Sequence, residues 1–158
     1  MKYERFEELP SWKAAIELAE NVYSLTERVQ FKGKYSLRDQ IERAALSVSN
    51  NIAEGFERGT TQELLTFLYI ARGSAGEVRS ILCLLEKLPV FCDLKFEISN
   101  LKSHAEGVSR QLRAWADSLQ NSEIKGQRYL TKKEQKRYEE QKEQDEFAKI
   151  LQSYVKKD

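Results

Sequence analysis

Between Thr60 and Pro89 the chain spells out one helix with little ambiguity. Leu64, Leu68, Ala71, Ala75, Val78, Leu82 and Leu85 follow one another at strict 4-3 spacing. That rhythm puts every one of them on the same face of an α-helix. Thr60 and Glu63 form a T-x-x-E capping box at its start, in which the threonine oxygen takes an otherwise orphaned backbone N–H. Pro89 ends it, because proline cannot continue the hydrogen-bond ladder. A second apolar stripe, Phe67, Ile70, Ser74, Ile81, Leu84 and Leu88, runs alongside the first. A helix that is apolar over two adjacent stripes needs cover on more than one side. Other helices of the chain can supply the first cover. Phe67, Ile70, Ile81 and Leu84 are expected to meet a neighbouring subunit or the C-terminal extension, so the sequence predicts an oligomer.

Three further helices share this rhythm. The first is expected over 11–28, with Leu9, Trp12, Ile16, Ala19 and Tyr23 on its inner face and Pro10 at the tolerated starting position. A loop carrying Gly33 follows. The second is expected to open with Ser36 as N-cap and Asp39 at the third position. Its stripe is Leu37, Ile41, Ala44, Ala45, Val48 and Ile52, and Gly55 or Gly59 would supply the left-handed C-terminal cap. The fourth starts near Asp93 with the seam Leu101, Ala105, Val108, Leu112, Trp115 and Leu119. Only two prolines and seven glycines occur in 158 residues, too few for an all-β chain with many turns. The reading is all-α: an antiparallel up-and-down four-helix bundle over 1–124. A charged, partly helical C-terminal extension covers 125–158. There Tyr138 is the sole apolar residue from 132 to 146, and Phe147, Ile150, Leu151 and Tyr154 then form one short apolar face.

The net charge is +1, so no chain-wide positive field exists to attract nucleic acid, and a nucleic-acid surface has to be a local patch. Cys83 and Cys92 lie too far apart for a C-x-x-C pair and show no disulfide framework. Cys83, set among leucines, reads as a small core residue. The opening MKYERFEELPSW has no apolar signal-peptide core, and no window is apolar enough to span a membrane. A cytoplasmic protein is expected.

Chemistry is sparse. His104 is the one histidine. It has no second histidine to share a metal, and no serine–histidine–aspartate set can be anchored on it. RGSAGE at 72–77 has the look of a phosphate loop. It falls mid-helix inside the 4-3 seam, whereas such a loop follows a strand and opens a helix. Gly73, Ser74, Ala75 and Gly76 are instead expected to let a neighbouring helix approach closely, with Ala44, Ala45, Ser47 and Ser49 as counterparts. No catalytic residue, cofactor, metal or small-molecule substrate is expected.

One polar stripe stands out on the second helix: Arg43, Ser47, Asn50, Glu54 and Arg58, at spacings 4, 3, 4 and 4. Asn51 lies nearer the apolar seam. Either Asn51 and Glu54 hold backbone or arginine groups and fix the register of the hairpin, or the stripe is a recognition surface. The residue types favour the structural role.

Three blocks, in order, resemble a known family: FEELPSWKAAIELAENVYSLT, YSLRDQIERAALSVSNNIAEGFERGT and FLYIARGSAGEVRS. They resemble the bacterial four-helix bundles named for the S23, or 23S rRNA intervening-sequence, protein. The matching positions include Phe6, Leu9, Trp12 and Ala15, then Arg43, Ser47, Asn51, Glu54, Gly55 and Arg58, then Gly73, Ser74 and Glu77. Where the family often carries Ile-Pro before Ser-Asn-Ile-Ala-Glu-Gly, this chain has Val48, Ser49 and Asn50. The resemblance spans about residues 5–120 and leaves the charged extension outside. It implies a non-enzymatic ring-forming oligomer, commonly a pentamer. It also implies an RNA-binding accessory role, in connection with 23S rRNA intervening sequences or, through a distantly similar retroelement protein, a reverse transcriptase. The arginines proposed to meet phosphate are Arg43, Arg58, Arg72, Arg79, Arg110 and Arg113, each with an intra-bundle ion pair as the competing role. Asn51, Glu54, Gly55, Gly73 and Ser74 are the structural motif. A protein-interaction scaffold with no nucleic-acid role is the alternative.

Overall fold

The computed structural model describes residues 3–121, together with Glu140, Gln144 and Phe147. The extension expected over 125–158 therefore lies, but for those three residues, outside the described residues. Four helices make up the rest: α1 (Pro10–Thr26), α2 (Tyr35–Glu57), α3 (Thr61–Lys87) and α4 (Lys95–Gln120). Short 3-10 turns at Phe6–Glu8, Val29–Phe31 and Pro89–Leu94 precede or join them, and no strand occurs among the described residues.

Side-chain bonds across the seams fix the direction of each helix. Arg58 meets Glu63, Ser47 meets Ser74 and Gln40 meets Glu77, so α3 rises as α2 falls. Glu86 meets Lys102, Arg79 meets Glu106 and Tyr69 meets Gln120, which reverses α4 against α3 in turn. Packing runs around a square: α3 lies between α2 and α4, and α1 closes the remaining side against both. This is the up-and-down bundle that short connections impose.

The core follows the 4-3 seams. Leu64, Leu68, Ala71, Ala75, Val78, Leu82 and Leu85 of α3 are all buried, as are Ile41, Ala44, Ala45, Val48 and Ile52 of α2. Each large aliphatic side chain so buried is worth roughly 1.5–3 kcal/mol. Phe31 and Phe91 close one end edge to face, with ring centroids 4.9 Å apart. Phe6 and Trp12 meet in the same way near the start of α1.

Four local expectations change. The buried face of α1 is Ser11, Ala15, Leu18, Val22 and Leu25, joined by Ala19, while Trp12 and Ile16 sit at its edge and Tyr23 is exposed. Ser36 does not cap α2; the helix starts two residues earlier than that cap implies, and Lys34 at its N-cap makes no side-chain cap bond. Gly55 is inside α2, and Gly59, at φ +78°, is the left-handed residue after it. Cys83 is exposed and is not a core residue. The capping box of α3 forms as read: Thr60 Oγ1 accepts from the Glu63 N–H at 3.2 Å and donates to its carboxylate at 2.7 Å.

Candidate functional site

The α2–α3 seam is built from small residues. Gly55 lies against α3 so closely that a Cβ there would stand 2.6 Å from the Cβ of Phe67. One turn and more away, Ser47 and Ser74 are 3.0 Å apart, oxygen to oxygen. Asn51 donates its amide to the Ser47 carbonyl at 2.7 Å and to the Ser47 hydroxyl at 2.9 Å, and Ser74 also bonds the Ile70 carbonyl. Asn51, Ser47 and Ser74 thus form one polar chain across two helices, which fixes their register. Glu54 plays no part in it. It is exposed and holds Arg58 at 2.6 Å one turn along the same helix. Gly73 and Gly76 are also elsewhere: a Cβ on either would meet nothing within 4 Å. They lie on the outer surface of α3 and do not serve the α2 contact expected of them.

The candidate arginines separate into two groups. Arg58 is tied down at the α2–α3 turn by Glu54, by Glu63 at 3.4 Å and by the Phe67 ring at 4.8 Å. Its hydrogen bond to Glu54 holds the guanidinium above its ordinary pKa. Arg43 is exposed, 3.7 Å from Asp39, beside a notch lined by Gln40, Ala44, Ser47 and Glu77. The other four border the α3–α4 seam. Arg79 reaches across it to Glu106 at 3.9 Å, and Arg110 reaches the same carboxylate at 3.2 Å. Arg113 turns to Asp117 at 3.6 Å.

Arg72 has no such partner among the described residues. On α3 Arg72 lies between Tyr69 and Arg79, whose partners across the seam are Gln120 and Glu106, so it is level with the part of α4 that carries Arg113 and Asp117. Tyr69, one turn from Arg72 on α3, is bonded through its hydroxyl to Gln120 at 2.7 Å. The strip is therefore cationic with one aromatic ring at its end, a composition suited to a phosphate-bearing strand.

The sequence also reads as a family block here, and a family model agrees. The model for the 23S rRNA-intervening sequence protein matches residues 7–114. The chain belongs to this family. Comparison with proteins of curated function finds no match. The family match runs from the turn before α1 to the last third of α4, and it takes in the Asn51–Ser47–Ser74 chain and five of the candidate arginines' positions beside Arg113. It leaves the C-terminal extension outside.

His104, singled out for want of a partner, is half-buried at the edge of a cleft between α1 and α4. Asn21, Ser24, Arg28, Glu97 and Asn100 share the cleft, and Arg28 and Glu97 bridge it at 2.7 Å. Among the described residues no group of three or more histidine, cysteine or acidic side chains is placed to hold a metal. No described helix is long and apolar enough to cross a membrane.

What the sequence reading missed is which of the six arginines keeps an acid partner among the described residues: Arg43, Arg58, Arg79, Arg110 and Arg113 do, and Arg72 does not.

Proposed function

We propose that this member of the intervening-sequence family is a non-enzymatic, oligomeric RNA-binding accessory protein of the cytoplasm. In this reading it acts with RNA from 23S rRNA intervening sequences or with a reverse transcriptase and its RNA. The observation that carries the reading is Arg72, which makes no ion pair among the described residues and lies on the seam that also carries Arg79, Arg110 and Arg113. An incoming phosphate would supply the anion that Arg72 lacks there. Arg79 and Arg110 extend the strip, each already sharing Glu106. Exposed ion pairs of this kind are weak, so phosphate can compete for both arginines.

Oligomerisation multiplies the patch. Ile70 and Leu84 remain 47% and 48% exposed on the outer face of α3, and Gly73 lies between them with open space above it. That face is the proposed contact between copies, and the family resemblance favours a pentamer. Each copy then repeats the arginine strip around the ring, although a single chain is almost neutral.

Purification after a low-salt and a high-salt wash tests both parts. Nucleic acid that copurifies at low salt, seen as a raised 260/280 absorbance ratio, and that is stripped at high salt supports the reading. Protein free of nucleic acid at low salt that is still oligomeric by light scattering would favour the alternative, a protein-interaction scaffold. The same outer α3 face would then carry the function.

A further inference from the structure

Away from the arginine strip, one end of the bundle combines positive charge with bare aromatic surface. The stretch from Arg28 to Arg38 reads RVQFKGKYSLR: four cations, two aromatics and no acid. It forms the connection from α1 to α2, with a 3-10 turn at Val29–Phe31 and Gly33 at φ +77°. Phe31 is buried against Phe91 and anchors the connection to the core. The turn then leaves the neighbouring side chains outside. Tyr35 is 79% exposed and Val29 75%. Arg28, Val29, Lys32, Tyr35 and Arg38 border a concave surface of about 320 Å³, three cations in its lining against the single acid Glu27.

The four cations differ in how they are held. Arg38 is bonded to Glu42 at 2.7 Å, and Arg28 to Glu97 at 2.7 Å. Lys32 and Lys34 make no ion pair among the described residues, and Lys34 lies 5.9 Å from the centre of the Phe91 ring. The first turn of α2 contains no acid and its N-cap offers no side chain to the free N–H groups, so the field there stays positive. Phe96, on the first turn of α4, is 79% exposed and adjoins Glu97, which the Arg28 bridge draws to this end. Tyr35 and Phe96 are the most exposed aromatic side chains among the described residues, and they share one end of the bundle with the two unpaired lysines.

We infer that the α1–α2 connection is a docking surface for single-stranded RNA, with a base stacked on Tyr35 and backbone phosphates beside Lys32 and Lys34. Charge complementarity points to a polyanion. The uncovered phenol ring points to an unpaired base, since a base inside a duplex offers no free face to stack on. The inference rests on the RNA-binding reading above and adds a second contact for the strand, at a different part of the molecule from the arginine strip.

The test uses the full chain and a labelled single-stranded RNA of about a dozen nucleotides, with the same RNA annealed to its complement as the comparison. Binding is read by fluorescence anisotropy over a salt series. Tyr35→Ala is expected to weaken single-strand binding roughly 5- to 100-fold, while Tyr35→Phe, which keeps the ring, retains it. Lys32→Gln is expected to lower the slope of log affinity against log salt by about 1. Thermal melts like that of the unmodified chain show that these exposed substitutions leave the fold intact. If the unmodified chain binds RNA and both Tyr35→Ala and Lys32→Gln bind as well as it does, this surface is not the site. The RNA-binding reading then stands on the arginine strip alone. Equal affinity for single strand and duplex, or a Lys32 effect without a Tyr35 effect, overturns the stacking assignment. Loss of self-association in Tyr35→Ala with unchanged RNA affinity would make the surface a contact between copies. No binding by the unmodified chain overturns both readings together.

Discussion

A Cβ built at position 55 stands 2.6 Å from that of Phe67, whereas one built at 73 or 76 meets nothing within 4 Å. The same substitution must therefore have opposite effects at these glycines. Gly55→Ala forces α2 and α3 apart and is expected to destabilise the fold by about 1–3 kcal/mol, the usual range for overpacking. Gly73→Ala and Gly76→Ala are expected to stabilise the isolated chain by roughly 0.5–1 kcal/mol each, through helix propensity alone. Thermal or denaturant melts of the dilute protein decide both. Asn51→Ala removes the donor to Ser47 and is expected to cost about 1 kcal/mol. Glu54→Ala breaks only an exposed pair with Arg58 and is expected to leave the melt close to unchanged. A melt in which Glu54→Ala is the more damaging of the two would contradict the roles assigned here. Helical spacing already put Asn51 nearer the apolar seam and Glu54 on the polar stripe. What it did not show is Ser74, which gives the Asn51 chain its far end and is 27 residues from Ser47.

The helices themselves were legible wherever a seam coincided with a chemical stop. α3 has both, a capping box at Thr60 and proline just past its end, and its bounds came out as read. Thr60→Ala is expected to lower stability by about 1 kcal/mol, since the Glu63 N–H loses its acceptor; equilibrium unfolding in urea measures it. α1 was harder. Two interleaved stripes satisfy helical spacing there. The bulkier one, Trp12, Ile16 and Tyr23, lost to Ala15, Leu18, Val22 and Leu25. Period alone cannot choose between adjacent stripes; the facing helices α2 and α4 decide, and they accept the smaller side chains. The start of α2 failed for a related reason. Ser36 and Asp39 offer a sound capping pattern, but the Val29–Phe31 turn brings the chain into helix two residues sooner.

For the whole molecule, the second stripe of α3 gave a mixed result. Phe67 and Ile81 are half-buried, while Ile70 and Leu84 keep about half their surface exposed. Ile70→Glu with Leu84→Glu is expected to shift the protein to a smaller species in light scattering, with helical content retained. A monomeric unmodified chain at all concentrations would remove the oligomer from the account. The bundle was legible in the sequence because its seams are periodic. The candidate RNA surface was legible only as a set of arginines, because which of them keeps an acid partner depends on the register of α3 against α4. That register supplies the most direct measurement: RNA affinity against salt for the unmodified chain and for Arg72→Gln with Arg113→Gln. The account predicts affinity that falls steeply with salt, and a double variant that binds more weakly with a slope shallower by about 2. Identical affinity and slope in the two proteins, with both folded, would contradict it.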